Sequence, residues 1–339
     1  MGVDIGKLVN KREISLEELK GKVVGIDAYN TLYQFLSSIR GPFGEPLKDS
    51  KGNITSHLTG LFYRTLNLME QDLRLVFVFD GKPLELKYKT QAERREIRKD
   101  AKEKLGKAIE KKDEEEAKKY AQQAVSLNQK MIEQAKELLG LMGLPIVEAK
   151  HDAEAQLALM EQKKAVDVVV SQDYDALLFG TERLVRNITL SGKRKLPGRN
   201  VFIDIKPEEI LLSKSLNELK ITREKLIWLG MLIGTDFNDK VPMVGPKKAL
   251  KLVQENDSFE AISDKVEGIS FDFKEIQNVF LNPSFNEDYK IEFRNLDRNG
   301  LIEYLTKYDF SKERVESRLD KIMKDVRFDS RQSNLGVWS

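Results

Sequence analysis

Acidic residues recur in this chain where apolar runs end. KVVGID stops at Asp27, LRLVFVFD at Asp80, and VDVVVSQDYD at Asp173 and Asp175. The runs are rich in Val, Ile, Leu and Phe without clean polar alternation, as in strands covered on both faces of a parallel sheet. In such sheets ligands bind outside the carboxyl ends of the strands. Three such strands bring four carboxylates to one edge. Grouped carboxylates repel one another, so the cluster implies a bound divalent cation. Asp152 and Glu154 in HDAEAQLALMEQKK, and Asp236 in GTDFN, join the same list. Singly, each has a bland reading as a cap, a turn residue or a surface charge. Asp152 is a good helix N-cap on propensity alone, and Asp173 and Asp175 could cap the next helix. Recurrence of one residue class at equivalent strand ends favours the cation-binding edge.

Composition narrows the cation. The chain has no Cys and only His57 and His151, so a Cys/His zinc site and disulfides are excluded. Clustered carboxylate oxygens suit Mg²⁺, Mn²⁺ or Ca²⁺. With the acids already available, neither His is expected to be a ligand. Net charge is only +2 over 339 residues although 33% are charged, so charge distribution matters more than its total. No apolar signal core or bilayer-length run occurs, and a soluble, intracellular, cytoplasmic protein is expected.

These side chains need elements to position them. A strand to Asp27 leads into the helix AYNTLYQFLSSIR, and residues 40–54 read as a Gly/Pro-rich loop. TSHLTGLFYRTLNLMEQD is an amphipathic helix that Thr55 or Ser56 could cap. Residues 85–120 favour helix but nearly lack an apolar stripe, and over 85–112 there are 11 Lys and Arg against 6 Asp and Glu. Such a segment cannot pack into a core. It is either a solvated charged helix or a basic element above the acidic edge, and its root directly after Asp80 favours the second. LNQKMIEQAKELLGLMG is a helix stopped by Gly143, LPIVEA a strand, and GKRKLPGRNVFIDI a basic hairpin. TREKLIWLGMLIGTDFNDKVPMVGPKKALKLVQ reads as helix, loop, helix with Asp236 in the loop.

The turn in VPMVGPKKALKLV opens a helix whose first backbone N–H groups can hold a phosphate, with Lys247 and Lys248 adding charge. A carboxylate–metal edge, a basic projecting segment and a phosphate-holding turn together suggest a polyanion cut by metal-assisted phosphodiester hydrolysis.

Over almost its full length the chain resembles the flap endonucleases in their archaeal form. The resemblance rests on MGVDIGKLV, DAYNTLYQFLSSIR, SHLTGLFYRT, VFDGKP, ERR, SQDYDALLFG, RLVRNITLSGKRKLPG, IKPEEI, GTDFN and GPKKALKLV. It implies an α/β fold: a mostly parallel central sheet with helices on both faces, a charged helical arch over the carboxyl edge, and a helix–turn–helix that grips duplex DNA. It implies one nuclease domain over 1–330, with the arch at 85–130 and the gripping motif at 222–255. The activity implied is removal of 5′ flaps from branched DNA in replication and repair, with possible 5′ exonuclease action, using two Mg²⁺ ions for which Mn²⁺ substitutes. The resemblance makes Asp80, Asp152 and Glu154 ligands or near-ligands of one metal. Asp173 and Asp175 hold the other, Asp236 acts through water, and Asp27 lies under both. Lys87 and Arg94 match residues that polarise the scissile phosphate. Arg98 matches a phosphate-facing arch position, and Tyr33 an aromatic that stacks on a nucleobase. Gly2 matches a glycine tucked near the site once Met1 is removed. The turn at 241–246, with Gly245, Lys247 and Lys248, matches the duplex grip.

Two departures stand out. Asp152 occupies a position where the family has Glu, one methylene longer, and His151 beside it replaces a small residue. Met243 occupies a position where the family favours Gly, and its Cβ resists a positive φ angle. At the end, QSNLGVWS in residues 331–339 resembles a sliding-clamp-binding peptide in which Gln332, Leu335 and Trp338 fit and Ser339 replaces the second aromatic. The expected partners are flap DNA and the clamp, with no membrane and a monomeric enzyme. Two rival readings stay open. One is a catalytically weakened DNA-binding or clamp-scaffold protein of the same fold, and the other a phosphatase or RNA-cutting nuclease.

Overall fold

The computed structural model describes residues 2–41, 44–111, 113–189, 192–195 and 202–329. The first half builds β1 (Arg12–Glu13), β2 (Val23–Asp27), α1 (Ala28–Ser38), α2 (Ser56–Glu70), β3 (Arg74–Phe79), α3 (Tyr88–Glu110), α4 (Glu114–Gln123), α5 (Gln129–Leu141), β4 (Ile146–Glu148) and α6 (Ala153–Gln162). Then follow β5 (Val168–Val170), α7 (Asp175–Leu178), β6 (Arg183–Arg186), a hairpin of β7 (Gly192–Lys195) and β8 (Phe202–Ile205), β9 (Glu208–Leu211) and α8 (Leu212–Leu219). The remainder is helical: α9 (Arg223–Ile233), α10 (Pro246–Glu255), α11 (Phe259–Ser263), α12 (Phe273–Leu281), α13 (Arg298–Thr306) and α14 (Lys312–Asp329).

The seven-stranded sheet has the order β1-β9-β6-β5-β2-β3-β4. From β6 to β4 every neighbouring pair is parallel; β9 pairs antiparallel with both β6 and β1, so in this sheet β9 alone runs against the rest. The continuous apolar runs have a direct cause, since alternate side chains enter two different cores. Val24, Ile26, Leu75, Phe77, Val168 and Val170 pack with α1, α2, α5, α13 and α14. Val76, Val78, Val147 and Val169 pack with α6, α7 and α9 to α12 on the other face. Burial of a side chain such as Phe77 contributes roughly 2–3 kcal/mol, so both faces hold the sheet.

Several local expectations are borne out. Gly143 lies just beyond α5 at φ +73°. The basic hairpin forms with antiparallel β7 and β8. One is corrected: Thr55 sits at the start of α2 without a side-chain capping bond. The hydroxyl of Ser56 instead accepts a bond from the Leu47 amide at 2.8 Å, tying the preceding loop to the helix. The charged segment after Asp80 is two helices, not one. α3 buries only Ala101 and Ala108, and Ala117 of α4 is buried beside them. Small residues let two largely polar helices pack on each other, so the pair forms without entering either main core.

Candidate active site

β5, β2 and β3 are adjacent and parallel, so their carboxyl ends lie side by side. That register brings together the acids that chain order scatters. Asp27 ends β2, Asp80 follows β3, and Asp173 and Asp175 follow β5. Asp152 and Glu154 arrive on the first turn of α6. The contact that delivers them lies at Gly81. Its amide donates to the His151 carbonyl at 2.8 Å. A Cβ at residue 81 would stand 2.1 Å from the Ala149 carbonyl oxygen, so only glycine allows this approach. Asp80 then accepts from the Ala153 amide at 2.8 Å, fixing α6 to the end of β3.

The bland capping readings fail for most of the acids. Asp152 stands at the N-cap of α6 but makes no capping bond; its carboxylate is held by the Lys87 ammonium. Asp175 accepts from the Val3 amide at 2.7 Å. Asp173 accepts from Gly2 N–H at 3.2 Å and from the Asn30 side-chain amide at 2.9 Å. Gly2 is thus tucked against the acids. Asp27 does cap α1, accepting from the Asn30 amide at 2.9 Å. Asn30 also accepts from the Gln172 amide at 3.2 Å, so it clasps the Asp27 and Asp173 segments together. Sequence reasoning missed Asn30 and Gly81, although Gly81 lies inside the quoted VFDGKP.

Burial and mutual repulsion make four of the carboxyls, Asp27, Asp80, Glu154 and Asp175, poor anions. Burial, then the charge of Asp80, pushes Asp27 up to about 8. Burial lifts Asp80 to about 6 despite the pull of Lys87. Burial, then Asp236, lifts Asp175 to about 7. Glu154 is raised well above the ordinary range by burial, then by Asp27 and Asp80. Lys87 shows the converse. Burial opposes its charge, but Asp152, Asp236, Glu154 and Asp80 outweigh it and hold the ammonium above its usual value.

A cleft opens over this edge, lined by Asp80, Lys87, Thr90, Arg94, Asp152 and Asp236 among others. Lys87 lies on a turn of 3₁₀ helix, Glu85–Lys87, leading into α3. Its ammonium is also 4.0 Å from Asp236 and 5.0 Å from the Phe237 ring centre. Arg94 pairs with Asp236. Arg98 donates to the Tyr33 hydroxyl at 2.9 Å, drawing that ring toward the root of α3. Donors at this edge are all oxygen and their negative charge is only partly offset, which fits a hard divalent cation. Among the described residues no three acidic side chains yet form a coordination cage, and Lys87 and Arg94 bond two of the acids instead.

The residues of the second basic feature, Gly245, Lys247 and Lys248, do not line this cleft. α9 and α10 form with the loop between them, and Gly245 precedes α10. Lys247 and Lys248 are exposed in its first turn. Met243 adopts φ +58° despite its Cβ and is 89% exposed. The buried flanks Val241 and Val244 dictate the turn's path, and Met243 accepts the strain. His57 is fully buried and meets Gln134 at 3.1 Å. His151 meets the Lys82 carbonyl oxygen at 2.6 Å. Gln332, Leu335 and Trp338 lie outside the described residues. No described helix is long and apolar enough to cross a membrane.

Matches to two family models define the class. The XPG N-terminal domain matches residues 4–101 and the XPG I-region matches 143–236. All seven acids, Lys87, Arg94 and Arg98 fall inside these two stretches. The chain is 50% identical to flap endonuclease 1 of Pyrococcus furiosus, covering 100% of this chain and 99% of that protein. It is 48% identical to that of Archaeoglobus fulgidus, with both chains covered completely. The solved flap endonuclease-1 from Methanococcus jannaschii superposes with a TM-score of 0.77 at 40% identity, covering 97% of this chain and 100% of that one. The chain belongs to the flap endonuclease family. The fold is also shared with the catalytic core of Rad2 in complex with DNA substrate, at 22% identity and a TM-score of 0.70. It is shared too with GEN1 in complex with product DNA and Mg²⁺, at 18% identity and a TM-score of 0.63.

Proposed function

We propose that the acidic edge is the cleavage centre of a structure-specific 5′ flap endonuclease, a hydrolase of branched DNA. The observation that carries this is the convergence of acids from three parallel strand ends and α6 beneath a basic helical root, in a chain of that family.

Asp80 and Glu154 would hold one cation, with Asp152 near it, and Asp173 and Asp175 a second. Asp236 would act through water and Asp27 from beneath. Such hard cations, Mg²⁺ with Mn²⁺ as substitute, supply Lewis acidity toward phosphate and lower the pKa of water. The chain's own residues do the rest. Lys87 and Arg94 exchange their carboxylate partners for phosphate oxygens as DNA enters, and neutralise charge that builds in the transition state. Arg98 guides the strand, and Tyr33 offers a face for a base to stack on. Gly245, Lys247 and Lys248 hold a duplex phosphate away from the cut. Helices α3 and α4 would form the arch. The C-terminal Gln332, Leu335 and Trp338 would anchor a sliding clamp, with the nuclease itself a monomer inside the cell.

The test uses labelled double-flap DNA with Mg²⁺. Wild type cleaves it. Asp80→Asn binds it with nearly unchanged affinity but does not cleave, because basic residues supply affinity while the acid serves chemistry. Lys87→Ala and Arg94→Ala each slow single-turnover cleavage ~10²-fold. Binding without cleavage by wild type would instead favour a scaffold protein of this fold.

A further inference from the structure

The root of α3 does not merely rest above the acids. It is docked on residues 235–239, the loop that leads from α9 toward the turn before α10. We propose that Thr90 is a positioning residue whose hydrogen bond to this loop sets Lys87 and Arg94 over the acidic edge.

The Thr90 hydroxyl donates to the backbone carbonyl of Asp236 at 3.0 Å. Residue 90 lies three after Lys87 and four before Arg94. That spacing puts all three on one face of the helical root. Each of the three touches the same loop: Lys87 at Asp236 and the Phe237 ring, Thr90 at the Asp236 carbonyl, Arg94 at the Asp236 carboxylate. Lys89 adds an exposed pair with Asp239, which carries little energy. The Lys87 and Arg94 contacts must break when those side chains turn to a phosphate. The Thr90 bond uses backbone, involves no charge and competes with no phosphate. It alone of the three keeps the root in place while the cations work.

The loop is built to bear that contact. Thr235 and Asn238 bridge each other through backbone, and the Thr235 hydroxyl meets the Asn238 side chain at 2.7 Å. The Phe237 amide donates to the Thr235 hydroxyl at 3.1 Å, and the Asn238 side-chain amide reaches the Met231 carbonyl at 2.7 Å. Thr235, Phe237 and Asn238 are buried. A closed polar network of this kind fixes one backbone geometry, so the carbonyl that Thr90 grips is a rigid reference point. The same loop continues through Val241, whose amide bonds Leu232, into the turn ahead of α10. Where the duplex seats and where the cations stand are thereby referred to one strap of chain.

The proposal rests on the reading of Lys87 and Arg94 as groups that act on the phosphate. Thr90→Val keeps the side-chain shape and removes only the hydroxyl; Thr90→Ser keeps the hydroxyl. Single-turnover cleavage, flap-DNA affinity and amide exchange over residues 88–98 are measured for each. Thr90→Val is expected to slow cleavage ~10-fold, the scale of one hydrogen bond. Its DNA affinity should stay within ~2-fold and its 88–98 amides should exchange faster, while Thr90→Ser restores both rate and protection. In an Arg94→Ala background, Thr90→Val should cost much less than it does alone, because the two act through one geometry. Full additivity, or a wild-type rate for Thr90→Val beside a slow Arg94→Ala, overturns the proposal and spares the reading beneath it. A wild-type rate for Arg94→Ala overturns that reading and the proposal with it.

Discussion

Asp27→Asn isolates the cost of assembling acids without a cation. Asp27 is buried, ends β2 and caps α1 through the Asn30 amide. Asn caps a helix as well as Asp and keeps the accepting oxygen, so the variant removes charge and little else. The native carboxyl is pushed up to about 8 from an ordinary 3.8, by burial first and then by Asp80. A raised pKa means that the stability contributed by this group is fully present below the unfolded value and is lost as pH rises through the folded one. Across that window, each tenfold difference in proton affinity between folded and unfolded chain is worth about 1.4 kcal/mol. Asp27 and Asp80 share part of that difference, since relieving one charge eases the other. The net gain for the variant at pH 8 is therefore ~2–4 kcal/mol. For a chain of this size that raises the melting midpoint by several degrees, at roughly 2 °C per kcal/mol. The assay is thermal or denaturant unfolding of both proteins in chelator at pH 4, 6 and 8. The variant should match wild type near pH 4, pull ahead by pH 6 and lead most at pH 8. Adding Mg²⁺ should stabilise wild type more than the variant, narrowing the gap. Equal stability at pH 8, or an undiminished lead at pH 4, would refute the reasoning. Cleavage by the variant should fall, the usual exchange of activity for stability at a strained site.

Four further outcomes are expected. Asp152→Glu should lower the Mg²⁺ concentration for half-maximal cleavage, because the longer side chain can reach past Lys87; an unchanged or higher requirement would show that the site is adapted to Asp. Met243→Gly should stabilise the fold by ~1 kcal/mol by relieving the positive φ angle, read by unfolding at neutral pH, and a loss of stability counts against strain at that turn. Deleting residues 331–339 should leave cleavage of free DNA nearly unchanged and remove stimulation by a sliding clamp. Ser339→Phe in the tail peptide should tighten clamp binding by ~1 kcal/mol or more through added apolar burial. Calorimetry decides it, and no binding by either peptide would dismiss the tail as an anchor.

Runs such as LRLVFVFD told, by themselves, of strands buried on both faces, because a strand between two cores has no polar face to alternate with. Their acidic ends pointed to a cation-binding edge, because recurrence of one residue class at successive strand ends favours that reading over separate caps. The absence of Cys settled which donors were available. These features are local in the chain and need no partner to be read. The strand order β5-β2-β3 was not readable, because pairing is decided by which helices cover which face. Nor was the meeting of Lys87 with Asp152, residues 65 positions apart, which depends on Gly81 letting the backbone before α6 approach β3. Asn30 and Thr90 were invisible for the same reason: an Asn or Thr on a helix is ordinary until the fold decides what stands opposite it. Met243 shows the limit from the other side. Its side chain disfavours the backbone it occupies, and only the buried Val241 and Val244 on either side explain why the turn takes that path regardless.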